Sequence, residues 1–198
     1  NFIASYRTAK FFSSNIFLSD VDPVTGQMTP KLLLECIKKF GLKKVDVVNT
    51  MYMGGNPYHV DEFFKIKKKY DFYMLEDACH AFGAKYKFKN NFYKVGCCKH
   101  ADISTFSFHP LKTITTGEGG VVTTNNLKIF NNAKLIRSHG IKRASRNYWK
   151  NKIEIPGMNF RLSDINAALG VSQIKKIDFF LNKRKKISEK YNLFIKNY

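Results

Sequence analysis

With 198 residues, 44% of them hydrophobic and including 18 Phe and 10 Tyr, the chain can bury a substantial core and lacks the composition of a disordered segment. Its 34 Lys and Arg against 15 Asp and Glu leave a formal charge of +19, so a nucleic-acid or membrane-surface partner has to be weighed. The basic residues are mostly Lys and are spread along the whole chain, the apolar runs are too short and interrupted for a membrane span, and no signal peptide opens the sequence. Neither a nucleic acid nor a membrane is therefore expected as a partner.

Taken in chain order, strands and helices alternate, which predicts an α/β fold with a mainly parallel sheet flanked by helices. Ile16-Phe17-Leu18 reads as a short strand, ended by Asp20, Asp22-Pro23 and Gly26. Thr29 then supplies an N-cap with Pro30 at the first helical position, and Leu32, Leu33, Cys36, Ile37 and Phe40 recur at helical spacing until Gly41. Val45 to Thr50 reads as a buried strand, broken by Gly54-Gly55-Asn56-Pro57, and a helix is predicted from about Val60 to Tyr70. Phe72 to Leu75 is an apolar strand that ends abruptly in Glu76-Asp77. Tyr86 to Cys98 reads as a hairpin or loop with Asn90-Asn91 at its tip. From Ile103 to His109 the residues alternate, with Phe106 and Phe108 on one side and Thr105, Ser107 and His109 on the other. The turn Gly117-Glu118-Gly119-Gly120 leads into a strand from Val121 to Thr124. Helices are predicted from about Leu127 to Ser138, closed by Gly140, and from Ser163 to the end, where the basic run Asn182 to Lys186 reads as a solvated face.

The cysteines Cys36, Cys79, Cys97 and Cys98 fit no disulfide framework, and no CxxC or histidine spacing points to a metal. A reducing, cytoplasmic compartment is the simpler expectation. The chain begins at Asn1 without Met and stops inside a charged helical pattern, so it reads as a fragment.

In open α/β sheets, ligands bind beyond the carboxyl ends of the strands. Two strand ends carry polar groups that need explaining: Glu76-Asp77, followed by Cys79-His80 and Gly83, and Ser107-Phe108-His109-Pro110-Leu111-Lys112. A carboxylate, an imidazole, a hydroxyl and an amine are thus expected near one edge of the sheet. These types match what pyridoxal 5'-phosphate requires: a lysine for the Schiff base, a carboxylate to keep the pyridine nitrogen protonated, and hydroxyls with backbone N–H groups for the phosphate. Singly, each has an ordinary structural explanation, the aspartate as a helix cap and the lysine as a solvated loop residue.

The sequence of these blocks resembles one family. Glu76-Asp77-Ala78-Cys79-His80-Ala81-Phe82-Gly83-Ala84, then Phe106 to Lys112 with Thr115-Thr116-Gly117-Glu118-Gly119-Gly120, then Arg137-Ser138-His139-Gly140, then Gly157-Met158-Asn159-Phe160-Arg161-Leu162-Ser163-Asp164 to Gly170 follow the order of the DegT/DnrJ/EryC1/StrS aminotransferases. Within that family the text is nearest to members that act in pseudaminic acid biosynthesis, aminating C4 of a UDP-linked 4-keto-6-deoxy amino sugar. The resemblance implies the fold of type I pyridoxal-phosphate transferases, with residues 1–175 as part of the large cofactor-binding domain and 176–198 as the start of a helical connection to a C-terminal small domain. It implies that the large domain's N-terminal portion, with its phosphate-binding helix start, precedes Asn1.

By the same resemblance Lys112 is the Schiff-base lysine and later the proton shuttle, Asp77 pairs with the pyridine nitrogen, His80 lies against the ring or near its phenolic oxygen, and Ser107 binds phosphate. Asn159 would reach the phosphate of the neighbouring subunit, making a homodimer the functional unit. His109, Glu118 and Arg161 take structural roles: strand end, turn and ion pair. The implied reaction moves an amino group, from glutamate, to a nucleotide-linked 4-keto-6-deoxy sugar. Family members that act as sugar dehydratases carry histidine where Lys112 stands, which argues against that alternative. A basic nucleic-acid-binding module would need a clustered basic face with interleaved aromatics, and none is seen. Tyr52 and Gly54-Gly55-Asn56-Pro57 depart from the histidine and Gly-Gln-Pro turn of many members.

Overall fold

Thr29 and Pro30 start a helix where the sequence places one, and the rest of the first half is built around it. A computed structural model describes residues 2–12, 14–143 and 150–196, in two units, Asn1–Phe106 and Ser107–Tyr198. In the first unit α1 (Ala4–Phe11) is followed by α2 (Pro30–Lys39), β1 (Val47–Met51), a 3-10 turn (Met53–Gly55), α3 (Val60–Tyr70), β2 (Tyr73–Asp77), a hairpin of β3 (Lys85–Phe88) and β4 (Asn91–Lys94), and β5 (Ile103–Ser107), whose last residue opens the second unit. The Thr29 hydroxyl accepts from Leu32 N at 3.3 Å, satisfying one of the free amides of the first turn.

β1 and β2 run parallel, as do β2 and β5. Side chains alternate across the sheet. Val48 and Met74 pack with Leu33 and Ile37 of α2, Phe63 of α3, Phe72 and Ala101 into one apolar core. Each of these larger side chains contributes about 1.5–3 kcal/mol by leaving water. Thr50, Glu76 and Ser104 share that hidden face and are buried. The opposite face, with Met51, Asp77 and Thr105 at its carboxyl end, is only half-buried.

In the second unit, β6 (Gly120–Thr123) precedes α4 (Leu127–Arg137), the antiparallel pair β7 (Ile141–Arg143) and β8 (Asn151–Ile153), α5 (Asp164–Ile174) and α6 (Ile177–Lys196). Asn126 caps α4 by accepting from Lys128 N at 2.9 Å and Ile129 N at 3.1 Å. Ser163 caps α5 by accepting from Asn166 N at 3.2 Å. No described helix is long and apolar enough to cross a membrane.

One expectation needs correcting, and two elements were not expected from the sequence. Ile16-Phe17-Leu18 is in no strand: a strand needs a laddered neighbour, and Phe17 instead packs its ring at 5.2 Å from that of Phe40. The segment before it holds α1, which no side-chain cap announces. In the second half β7 and β8, which no sequence pattern announces, pair between α4 and α5 in a register that sets Ile141 opposite Ile153.

Candidate active site

Asp77 is the last residue of β2, level with Met51 on one side and Thr105 on the other. Its Oδ1 accepts from Cys79 N at 3.2 Å and its Oδ2 from the Ser5 hydroxyl at 3.1 Å. The first bond is the local turn that a strand-end aspartate ordinarily makes. The second comes from α1, seventy-two residues away in sequence, and nothing local in the sequence announces it. Among the described residues Asp77 forms no ion pair. A half-buried carboxylate held by neutral donors alone keeps acceptor capacity for a cationic N–H.

His80 is exposed, in the turn that follows. Its backbone is fixed closely: a Cβ on Gly55, whose φ is +85°, would stand 2.5 Å from the His80 carbonyl oxygen. Only glycine at position 55 lets that turn lie against residue 80. The turn is held from behind by buried Gln27, whose amide donates to the carbonyls of Met53 at 3.3 Å and Asn56 at 3.0 Å.

In the second unit Ser107 and Lys112 belong to one tight turn. The Ser107 hydroxyl accepts from His109 N at 3.3 Å, and Lys112 N donates to His109 O at 2.9 Å. Phe108 O receives both Thr116 N and the Thr115 hydroxyl at 3.0 Å, while Phe108 N donates to Gly119 O at 2.8 Å. The buried Thr116 hydroxyl donates to Glu118 O at 2.8 Å, and Asn166 of α5 donates its amide to Thr116 O and, at 3.4 Å, to Glu118 O. A Cβ on Gly119, at φ +154°, would lie 2.4 Å from the Thr116 hydroxyl oxygen, so the turn requires glycine there. The Arg184 guanidinium reaches the Lys112 carbonyl at 3.4 Å. The Lys112 side chain is half-buried and, among the described residues, in no ion pair. Because the Ser107 oxygen is the acceptor in its own bond, its hydrogen remains to be donated.

Asn159 lies apart from that turn along the chain, exposed, in a bridge with Ser138. His139 N donates to Met158 O at 3.0 Å and Met158 N to Ile136 O at 2.9 Å, so the Arg137–Gly140 and Gly157–Arg161 motifs form one structural piece. The Asn159 side-chain oxygen accepts from Arg161 N at 3.3 Å. Arg161 forms no ion pair among the described residues, against expectation, since its place in this piece is held through the backbone. His109 and Glu118 approach to 3.9 Å at an exposed site.

Each unit thus gathers part of the expected set, Asp77 and His80 in the first and Ser107 and Lys112, with Asn159 on a separate piece, in the second. Each unit by itself holds groups of the kinds pyridoxal phosphate uses: in the first, a carboxylate with no ion pair among the described residues, suited to a protonated ring nitrogen; in the second, a hydroxyl with a hydrogen to give to a phosphate and a half-buried amine with no ion pair among the described residues, suited to an aldehyde.

Sequence reasoning missed Glu76. It is 3% exposed and accepts from the Tyr52 hydroxyl at 2.6 Å, from the Ser104 hydroxyl and from the Gly96 backbone. Burial pushes its carboxyl above the usual glutamate range, and those donors oppose the push. Burial and the neighbouring carboxylate also raise the Tyr52 phenol, keeping it a donor. Farther along, the raised Tyr86 phenol shares a 2.8 Å hydrogen bond with His100, whose ring stacks on Phe88 at 3.7 Å.

Comparison with known proteins gives these features a context. The DegT/DnrJ/EryC1/StrS aminotransferase family matches residues 1–197. The UDP-4-amino-4,6-dideoxy-N-acetyl-beta-L-altrosamine transaminase of Campylobacter jejuni subsp. jejuni serotype O:23/36 (strain 81-176) is 43% identical over 148 residues, covering 75% of this chain and 37% of that protein. Helicobacter pylori PseC, an aminotransferase involved in the biosynthesis of pseudoaminic acid, superposes with a TM-score of 0.87 at 29% identity over 100% of this chain and 50% of its own. The PLP-form of Spr1654 from Streptococcus pneumoniae gives 0.83 at 25% identity, over 97% of this chain and 51% of its own. The chain spans about half or less of the length of these relatives.

Proposed function

This chain belongs to the DegT/DnrJ/EryC1/StrS aminotransferase family, and on that premise we propose that it serves a pyridoxal-phosphate-dependent transfer of an amino group, from glutamate to a nucleotide-linked 4-keto-6-deoxy sugar. The observation that carries the reading is the Asp77 carboxylate: half-buried at the carboxyl end of a central parallel strand, bonded by Ser5 and Cys79 N, and without a counter-ion among the described residues. Such a group has a use for a cationic ring nitrogen, and Lys112 and Ser107 supply the amine and hydroxyl that the same cofactor needs. When bound, the cofactor supplies an electron sink for charge left on the carbon beside the nitrogen.

The protein's own residues do the rest. Asp77 holds a proton on the ring nitrogen. The Lys112 amine would hold the cofactor by its aldehyde and, when free, would take up and return a proton at Nζ. The Ser107 hydroxyl and the N–H groups of its turn hold the phosphate, and His80 lies against the ring. Asn159 of one subunit reaches the phosphate held by the other, so the active form is a homodimer, in the cytoplasm. The name of the Campylobacter relative, which specifies a UDP-4-amino-4,6-dideoxy sugar, supports amination at C4 of a nucleotide-linked acceptor. That of PseC supports a place in making a pseudaminic-acid-type sugar.

Borohydride reduction of the complete protein with bound cofactor, followed by peptide mapping, tests the assignment. The label is expected on Lys112 and absent from Lys112→Ala. A label on any other lysine overturns it.

A further inference from the structure

Across β1, β2 and β5 the register sets Thr50, Glu76 and Ser104 side by side on the hidden face, one residue before the row Met51, Asp77 and Thr105. The hidden row is polar and dry: Thr50 is 5%, Glu76 3% and Ser104 0% exposed. Glu76 draws in a hydroxyl from each flank, Tyr52 just past β1 and Ser104 on β5. Among the described residues it has no cationic partner. A buried carboxylate answered by neutral donors alone is a poor way to stabilise a sheet, since an apolar group of similar size would cost less desolvation. What the arrangement achieves is geometric. Tyr52 donates its phenol to Glu76 and its backbone N–H to Asp77 O at 3.1 Å. On the other flank Ala78 N donates to Thr105 O at 2.9 Å, and the Thr105 hydroxyl to Glu76 O at 3.3 Å. The strand end that bears Asp77 is thereby tied on both sides, and Tyr52 is itself seated by the Gln27-held turn.

We propose that Tyr52 and Glu76 are positioning residues for Asp77: their buried hydrogen bond sets where the Asp77 carboxylate stands and so how strongly it holds the protonated ring nitrogen of the cofactor. The inference rests on the cofactor reading above and deepens it. Tyr52 takes part through one oxygen atom, so Tyr52→Phe removes the tie while leaving the ring and the backbone donor.

The test is a double-mutant cycle in the complete protein, reading pyridoxal phosphate affinity by equilibrium dialysis and the pH dependence of the bound cofactor's absorption spectrum. Tyr52→Phe is expected to weaken affinity about fivefold and to shift the spectral titration to lower pH in the Asp77 background, and to do neither once Asp77→Asn is present. An equal effect of Tyr52→Phe in both backgrounds overturns the proposal, because the residue then acts on stability alone. No effect in either overturns it as well. If Tyr52→Phe fails to fold, Ser104→Ala removes a hydroxyl from the same carboxylate on the other flank and is read by the same cycle. The underlying reading fails separately: Asp77→Asn alone would then leave affinity and spectrum unchanged.

Discussion

In the first unit the Asp77 carboxylate stands on strands whose hidden face is packed by Leu33, Ile37 and Phe63. In the second unit Lys112 hangs on a turn tied by directional hydrogen bonds, and α4, α5 and α6 bury no residue of their own. The strand that bears the carboxylate is held by burial, which is cooperative and shared among many contacts, and the lysine's turn by single bonds that can be removed one at a time. A change in the core of the first unit should therefore act on the whole unit, and a change beside the lysine should act locally.

The largest effect is expected where that difference is sharpest. Phe63, 3% exposed in the core, should cost about 3–5 kcal/mol when replaced by alanine, from lost burial and the cavity left behind. Leu169 of α5, 41% exposed, should cost no more than about 0.5 kcal/mol in the 198-residue chain. Urea denaturation of both variants measures the pair. Equal losses would mean that the second unit is packed as the first is, and the comparison would fall.

Asn166→Ala comes next. It removes an amide that donates to the carbonyls of Thr116 and Glu118 in the turn that carries Lys112; Glu118 O keeps the Thr116 hydroxyl, and Thr116 O loses this donor. The expected cost is about 1–2 kcal/mol. Its signature should be local, with faster hydrogen exchange at Thr116 N and Phe108 N and little change in β1 and β2. Exchange rising equally in both units would show that the turn is not held independently.

The same contrast decides what could be read from sequence. α2 and α3 were legible because apolar residues at helical spacing made their buried faces, and α2 also carries the Thr29-Pro30 start. Asp77 and Lys112 were legible because a strand ended in charge and because their motifs carry a family resemblance. Glu76 was not. Its meaning depends on register, which brings Tyr52 and Ser104 to it from 24 and 28 residues away, and no periodicity encodes a pairing between strands. Ser5 was hidden for the same reason. The strands β7 and β8 escaped because they are short and rich in Lys and Asn, residues that rarely form strands, and are held by their pairing and a Lys142–Glu154 ion pair at 3.4 Å.

The smallest effect concerns pH and isolates the buried charge. Burial raises the folded-state pKa of Glu76 above the ordinary value of 4.5, so the folded protein binds that proton more tightly than the unfolded chain does. The corresponding stability is fully present below pH 4.5 and is lost as pH rises through the elevated pKa. Glu76→Gln cannot titrate. Whatever fixed penalty the amide brings, the stability of the native protein relative to this variant should decline from pH 4.5 upward and then level off. Denaturant midpoints of the two proteins across that range measure it. A constant difference would mean that Tyr52, Ser104 and the Gly96 backbone offset burial completely, leaving Glu76 as a fully compensated charge. A difference that grows with pH in favour of the native protein would mean that the donors outweigh burial, reversing the direction assigned to this carboxyl.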